Sequence, residues 1–318
     1  MKLGACKPPL ILICGPTGVG KSELGVNLAK EINGEIISAD SVQVYRGLNI
    51  GSAKITEEEM KGVPHHLIDI LNPDEDYGVH LFQKYAKEAV AGIYERGHIP
   101  IVVGGTAFYI QALLYDIDFT EEEKTDDSYR DELNVIGSSD EGAKELWARL
   151  NSIDPDYAST VHYNNVKRVI RALEYNKHTG RLFSVYNREQ SERESIYDHV
   201  YFALTDKREL LYDRINKRVD VMLSMGLIDE VKGLLASGYS DDLSSMSSIG
   251  YKEICAYLKG DCSLEDAVNL IKQNSRHYAK RQLTWLRRER DVEFVDRQDF
   301  KNSDDILEYI IKKLNGDL

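Results

Sequence analysis

The chain has 318 residues, 42% of them hydrophobic, and its 53 acids against 40 Lys and Arg leave a net charge of −13 at neutral pH. Those values describe an ordinary globular protein, one large domain or one with a substantial insertion, whose overall acidity argues against non-specific coating of nucleic acid. No apolar run approaches the ~18 residues that a membrane-spanning helix needs, and the four cysteines (Cys6, Cys14, Cys255, Cys262) form neither CxxC nor Cys–His patterns, so structural thiols in a cytoplasmic protein are expected rather than disulfides or zinc.

The start MKLGACKPPLILICG is too short in its apolar part for a targeting segment, and its residues 10–14 (LILIC) read as a buried strand. GPTGVGKS follows, Gly15, Pro16, Thr17, Gly18, Val19, Gly20, Lys21 and Ser22, a full match to G-x-x-x-x-G-K-[ST] that opens the helical pattern SELGVNLAKEI. In such a loop the glycines let backbone N–H groups close around phosphate oxygens, Lys21 reaches the terminal phosphate, and the Ser22 hydroxyl can hold Mg²⁺. A second apolar run, 35–39 (EIISA), ends at Asp40 and continues as SVQVYRGLNIGSAK. At the carboxyl edge of a parallel sheet Asp40 would face the ligand, and as Asp-Ser it would equally form a turn or cap; spacing alone leaves both open.

Residues 66–70 (HLIDI) and 99–103 (IPIVV) complete an alternation of strands with helical stretches such as VHLFQKYAKEAVAGIYERG, the signature of βαβ units and a parallel sheet with helices on both faces. His65 and His66, beside Pro64, read as ordinary hydrogen-bonding residues. GGTAFYIQALLYD (Gly104 to Asp116) places a second glycine loop on the same edge, with the Thr106 hydroxyl at a helix start. From about 117 the pattern changes: nine acids against two bases lie between Asp116 and Glu132, read as a solvated linker and helix start, and helical periodicity then runs to the strand DHVYFALT at 198–205.

The fold expected is therefore α/β, a P-loop NTPase-like parallel sheet with helices on both faces and an inserted, mostly helical domain. Residues 1–116 and 198–318 would form the α/β domain with its C-terminal helices, and 117–197 the insertion. Helical patterns follow from 205 to 290, then VEFVD as a last strand and a closing helix. Two basic stretches stand out, six bases from Lys167 to Arg188 and seven bases against one acid from Lys272 to Arg290, the latter with Tyr278 and Trp285 interleaved. Bases with aromatics suit a single-stranded RNA loop, although both aromatics could equally be core residues. The usual companions of a phosphate loop are missing: IPIVVGGT ends in glycines rather than in a metal-holding Asp, and Asn176-Lys177 does not continue as a guanine-reading motif. A small P-loop kinase with Asp40 as base, or a non-enzymatic RNA-binding switch, shares the loop but leaves the basic stretches unexplained.

Taken together, GPTGVGKS, ISADSVQVYRGLNIGSAK, VPHHLIDILNPDEDY, GGTAFYIQALLYD, NNVKRVIRALEY and YAKRQLTWLRR resemble the tRNA dimethylallyltransferase (isopentenyltransferase) family over nearly the whole chain. With no C-terminal zinc finger after them, the resemblance is to the bacterial type. It implies transfer of the dimethylallyl group from dimethylallyl diphosphate to the exocyclic N6 amine of the adenine 3′ of the anticodon, with release of diphosphate. The phosphate loop would then hold the leaving group, with Mg²⁺ as cofactor and Ser22 as its protein ligand. By the same resemblance Asp40, Thr106 and Arg218 would be catalytic. The tRNA anticodon stem-loop would be contacted by Asp40, Ser41, Val42, Gln43, Thr106, Arg130, Lys167, Arg168, Val169, Ile170 and Arg171, and by the insertion as a whole. A monomer is expected. For Arg218, and for Arg214 one turn earlier, the sequence alone offers only a solvated cationic face.

Overall fold

The computed structural model describes residues 7–119 and 127–316, so the expectations for Cys6 and for the middle of the acidic segment lie outside the described residues. Among the described residues six parallel strands form one sheet, in the order β3-β2-β4-β1-β5-β6. They are β1 (Pro9–Cys14), β2 (Gly34–Ala39), β3 (His65–His66), β4 (Ile99–Gly104), β5 (Asp198–Thr205) and β6 (Val292–Asp296). Leu10, Ile11, Leu12 and Ile13 of β1 are fully buried, as expected of a central parallel strand covered on both faces.

Strand register brings three loops together. Gly104, which ends β4, is level with Cys14 of β1 on one side and Ala39 of β2 on the other. The loops starting at Gly15, Asp40 and Gly105 therefore leave the sheet side by side at its carboxyl edge, where open parallel sheets bind ligands.

The helices of this part of the chain are α1 (Lys21–Ile32), the single turn α2 (Glu57–Met60), α3 (Val79–Glu95) and α4 (Ala107–Leu114). The described residues of the intervening segment hold α5 (Asp127–Ile136), α6 (Asp140–Ile153), α7 (Pro155–Ala158), α8 (Val166–Thr179) and α9 (Phe183–Glu192). After β5 come α10 (Arg208–Ser224), α11 (Leu227–Ala236), α12 (Tyr251–Lys259), α13 (Leu264–Leu286) and, after β6, α14 (Ser303–Asn315). The chain divides into two compact units, residues 1–114 with 196–318, and residues 115–195. In the first, Leu24 and Leu28 of α1 pack with Ile13, Ile36 and Ile101 of the sheet. A second cluster joins Val44, Tyr45 and Leu48 to α11, α12 and α13. The smaller unit has its own core of Leu133, Leu146, Leu150, Val169, Ile170 and Leu173. No described helix is long and apolar enough to cross a membrane.

The strand expected over 66–70 is the exception: pairing stops at His66. Leu67 and Asp69 take left-handed backbone angles (φ 64° and 54°), which an extended strand cannot contain. The chain turns instead, so that the N–H groups of Asp69 and Ile70 donate to the carbonyls of Gln43 and Val44 at 3.2 and 2.9 Å. The apolar run that reads as a third strand thus supports the segment after Asp40.

At the opposite end of β2, Glu35 is a buried carboxylate. Arg96 grips it at 2.8 and 2.7 Å, and ring nitrogens of His66 and His98 each lie 2.6 Å from it. Hydrogen bonding from Arg96 holds the Glu35 carboxyl down to about 2, against about 4.3 for a free Glu. Because that value is depressed, the stabilisation is fully present above about pH 4.3 and is lost as pH falls towards 2. We expect Glu35→Gln to destabilise the protein by about 2–3 kcal/mol at pH 7, since the half-exposed Arg96 can recover some hydration. The deficit against wild type should shrink as pH falls below 4; urea melts at pH 7 and pH 3 measure it.

Candidate active site

The phosphate loop is built as its glycines demand. Gly15 has φ 144°, and a Cβ there would lie 2.6 Å from the carbonyl oxygen of Leu204, so only glycine lets the chain leave β1 this way. Lys21 begins α1 and folds back over the loop, its Nζ donating to the Pro16 carbonyl at 2.9 Å. Other carbonyls of the loop are gripped from behind. Arg214 Nε donates to Gly18 O at 3.0 Å and Arg297 Nη1 to Val19 O at 3.1 Å. Asp206, whose side chain is buried, pairs with both arginines. Arg214 is therefore part of the loop's scaffold rather than a solvated cation. Val19 is buried, so its side chain anchors the loop.

Burial, followed by the nearby Arg218 cation, pushes the Lys21 ammonium down to about 8. A depressed lysine is fully charged only below that pH, so an anion bound by the charged form must draw in a proton above it. We expect the affinity for inorganic diphosphate to fall above about pH 8 and its binding at pH 8.5 to take up more protons than in Lys21→Arg, whose guanidinium stays charged. Calorimetry in two buffers of different ionisation enthalpy tests this; equal uptake by both proteins would contradict it.

Beside the loop lies a cavity of about 310 Å³. One wall is polar, with Thr17, Asp40, Ser41, Arg218, Tyr278 and Arg281, and the other is apolar, with Ile215, Val219, Met222, Ile249 and Ile271. Asp40 Oδ1 accepts the N–H groups of Val42 and Gln43 at 2.8 and 3.2 Å. Asp40 thus caps its own turn and also lines the cavity. The N–H of Thr106 donates to Ala39 O at 3.3 Å, holding Thr106 next to Asp40. Tyr278 reaches the side chains of Thr106 and Gln282, and burial, then the Asp40 charge, pushes its phenol up to about 12, which keeps it protonated. Trp285, by contrast, packs edge-on against Phe108.

Arg218 Nη1 is 3.4 Å from Thr17 Oγ1, and its side chain also borders a second cavity of about 330 Å³ lined by Ser22, Glu23, Glu59 and Lys61. Ala53 lies between the two cavities. The loop that carries it is held by Glu230, whose carboxylate accepts the N–H groups of Asn49, Ile50 and Gly51 and the Tyr251 hydroxyl at 2.7 to 3.1 Å. Gln43 holds it from the other side, donating its Nε2 to the carbonyls of Ser52 and Ala53 at 3.4 and 3.2 Å. Gln43, expected among the tRNA contacts, commits its amide nitrogen to this wall, whereas Ser41 and Val42 line the cavity. Among the described residues no group of three or more His, Cys, Asp or Glu could cage a metal ion.

In the smaller unit the residues expected to touch RNA divide by burial. Lys167 and Arg168 are exposed on α8, and Arg171 lies over the Phe183 ring at 5.6 Å. Val169 and Ile170 are core residues, 0% and 3% exposed, so their side chains reach no outside partner. Arg130 grips the buried carboxylate of Glu174 at 2.8 and 3.0 Å. Sequence reasoning missed Asp206, Glu230, Gln282 and Arg297. Only Glu230 leaves a local trace, as an acid beside the apolar stripe Leu227, Val231, Leu234.

Comparison with known proteins bears on the whole chain. The pattern of the IPP transferase family matches residues 43–289 and that of isopentenyl transferase residues 8–73. A tRNA dimethylallyltransferase of Lachnoclostridium phytofermentans is 52% identical over 306 residues, covering 96% of this chain and 97% of its own. Among solved structures, the full-length tRNA isopentenylpyrophosphate transferase of Bacillus halodurans is 46% identical over 98% of both chains, with a TM-score of 0.73. A eukaryotic dimethylallyltransferase acting on tRNA is 32% identical, covering 97% of this chain and 80% of its own, with a TM-score of 0.82.

Proposed function

Because the chain belongs to the IPP transferase family, we propose that it transfers the dimethylallyl group of dimethylallyl diphosphate to the N6 amine of the adenine 3′ of the anticodon in tRNA. The observation that carries this reading is one cavity in which a carboxylate, an arginine beside a phosphate loop and an apolar wall face one another.

The loop Gly15 to Ser22 holds the diphosphate through its backbone N–H groups and Lys21. The allyl chain lies against the apolar wall of Val219, Met222 and Ile271. The adenine, unstacked from the anticodon loop, enters beside Asp40 and Thr106. Its amine is a weak nucleophile because its lone pair is delocalised into the ring, so a carboxylate that orients it and accepts its proton supplies general-base catalysis. As the N6–C1 bond forms, the C1–O bond breaks, its electron pair leaves with the diphosphate, and the amine proton passes to Asp40. Arg218 stabilises the negative charge that grows on the departing oxygen.

Magnesium fits this site only as a companion of the substrate. The protein offers the Ser22 hydroxyl rather than a cage of acids, and Mg²⁺ characteristically keeps several waters and binds through substrate phosphates. When bound there it would neutralise part of the diphosphate charge. Outside the cavity, Lys167 and Arg168, with Arg171 behind them, are suited to backbone phosphates of the anticodon stem-loop. The helical unit would serve as a tRNA-contacting element, with Ser41 and Val42 nearest the flipped base.

Incubating the protein with unmodified tRNA and dimethylallyl diphosphate, then analysing the nucleosides, tests the proposal. N6-dimethylallyladenosine at the anticodon-adjacent position is the expected product. Phosphate transfer from ATP without any such product would mean a kinase instead.

A further inference from the structure

We propose that Gln282, assisted by Tyr278 one turn before it on α13, is a positioning residue that fixes the spacing between the phosphate loop and the Gly105–Thr106 loop. The inference rests on the reaction proposed above. Gln282 is 6% exposed, and its amide joins the two loops: Oε1 accepts the N–H of Thr17 at 2.9 Å, and Nε2 donates to the carbonyl of Gly105 at 3.0 Å. The N–H of Thr17 is thereby turned towards α13, while its hydroxyl meets Arg218. On the other loop Thr106 meets the Tyr278 phenol, which also reaches Gln282. A continuous chain of contacts then runs from the arginine beside the leaving group to the threonine beside the base.

Gly105 supplies separate support. A Cβ at this position would lie 2.1 Å from Gln282 Nε2 and 3.3 Å from the carbonyl oxygen of Gly15, so the glycine makes room chiefly for the glutamine amide, which a larger residue would have to displace. The second glycine of GGT and the glutamine of KRQ form one device, although they are 177 residues apart in the chain.

In a displacement reaction the two loops have separate tasks, one presenting the amine and the other holding the diphosphate, and the rate depends on the distance and line between them. A misplacement of about 1 Å can lower the rate about 10²-fold without removing any catalytic group. Gln282 makes the alignment direct instead of leaving it to the flexibility of two glycine loops.

The test compares wild type with Gln282→Met, which keeps the volume but neither hydrogen bond, and Gln282→Glu, which keeps the acceptor for Thr17 and loses the donor for Gly105. Single-turnover transfer is expected to fall about 10²-fold in the first and by less in the second, with Kd for inorganic diphosphate and for tRNA within about threefold of wild type. Gly105→Ala combined with Gln282→Ala should melt like Gln282→Ala alone yet remain slow. A wild-type rate in both the Met and Glu variants overturns the inference, as does a loss of diphosphate and tRNA affinity that tracks a lowered melting temperature. A wild-type protein that transfers no allyl group in the same assay overturns the reaction itself, and with it the task assigned to the strut.

Discussion

Asp40→Asn is expected to lower kcat for allyl transfer by about 10²–10⁴-fold, the range typical of a lost general base, while leaving the fold and tRNA affinity nearly intact. The geometry explains the separation. Oδ1 of Asp40 accepts two backbone N–H groups of its own turn, at 2.8 and 3.2 Å, and an asparagine oxygen can keep both. Among the described residues Oδ2 has no protein partner, and it is the atom available to the amine. Asparagine would put an NH₂ group there, which can neither accept the proton nor face an amine without opposing donors. Asp40→Ala should be worse in a second respect, because it also removes the turn that shapes Ser41 and Val42. Single-turnover assays with labelled dimethylallyl diphosphate, run beside tRNA-binding measurements, distinguish the two variants. An asparagine variant retaining a third or more of the wild-type rate would remove Asp40 from the role of base.

How much of the fold and site was legible in the sequence depends on whether the information was local. The phosphate loop was readable because its glycines encode backbone angles at fixed spacing, and β1, β2, β4, β5 and β6 were readable from short apolar runs between turns. The run 66–70 misled because composition does not report the left-handed angles at Leu67 and Asp69 that end the strand. Assignment by resemblance carried Val169 and Ile170 into a contact stretch, whereas the helical stripe Val166, Val169, Ile170, Leu173 already points inward. Arg130 shows the same limit from the charge side: its partner Glu174 lies 44 residues away, on another helix. The scaffold of the site was the least legible part. Gln282 meets Thr17 across 265 residues, and Glu230 meets Asn49 across 181, so no window of sequence contains either pair. Motifs name the groups that touch substrate; the residues that hold those motifs in place are fixed by tertiary contacts.

Arg218→Gln and Lys21→Ala are expected to fail in different ways, although both remove a cation from the same anion site. Lys21 sits over the loop against the Pro16 carbonyl, where, in the reaction proposed above, it would meet the diphosphate already in the ground state. Its loss should weaken binding of diphosphate and of the allyl donor, raise KM, and spare tRNA affinity. Arg218 stands in the cavity near Thr17, where the C1–O bond would lie. Charge on that oxygen grows only as the bond breaks, so the arginine interacts more strongly with the transition state than with bound substrate. Arg218→Gln should therefore lower kcat by about 10²–10³-fold with little change in KM. Arg218→Lys should recover only part of the loss, since an ammonium is a point charge without the planar fork of five donors. An allyl donor bearing a better leaving group than diphosphate offers the sharper check, because it develops less charge on the departing oxygen. The deficit of Arg218→Gln should narrow with that donor while the deficit of Lys21→Ala stays the same. If both deficits narrow together, the two cations act as one unit on the leaving group rather than dividing binding from catalysis.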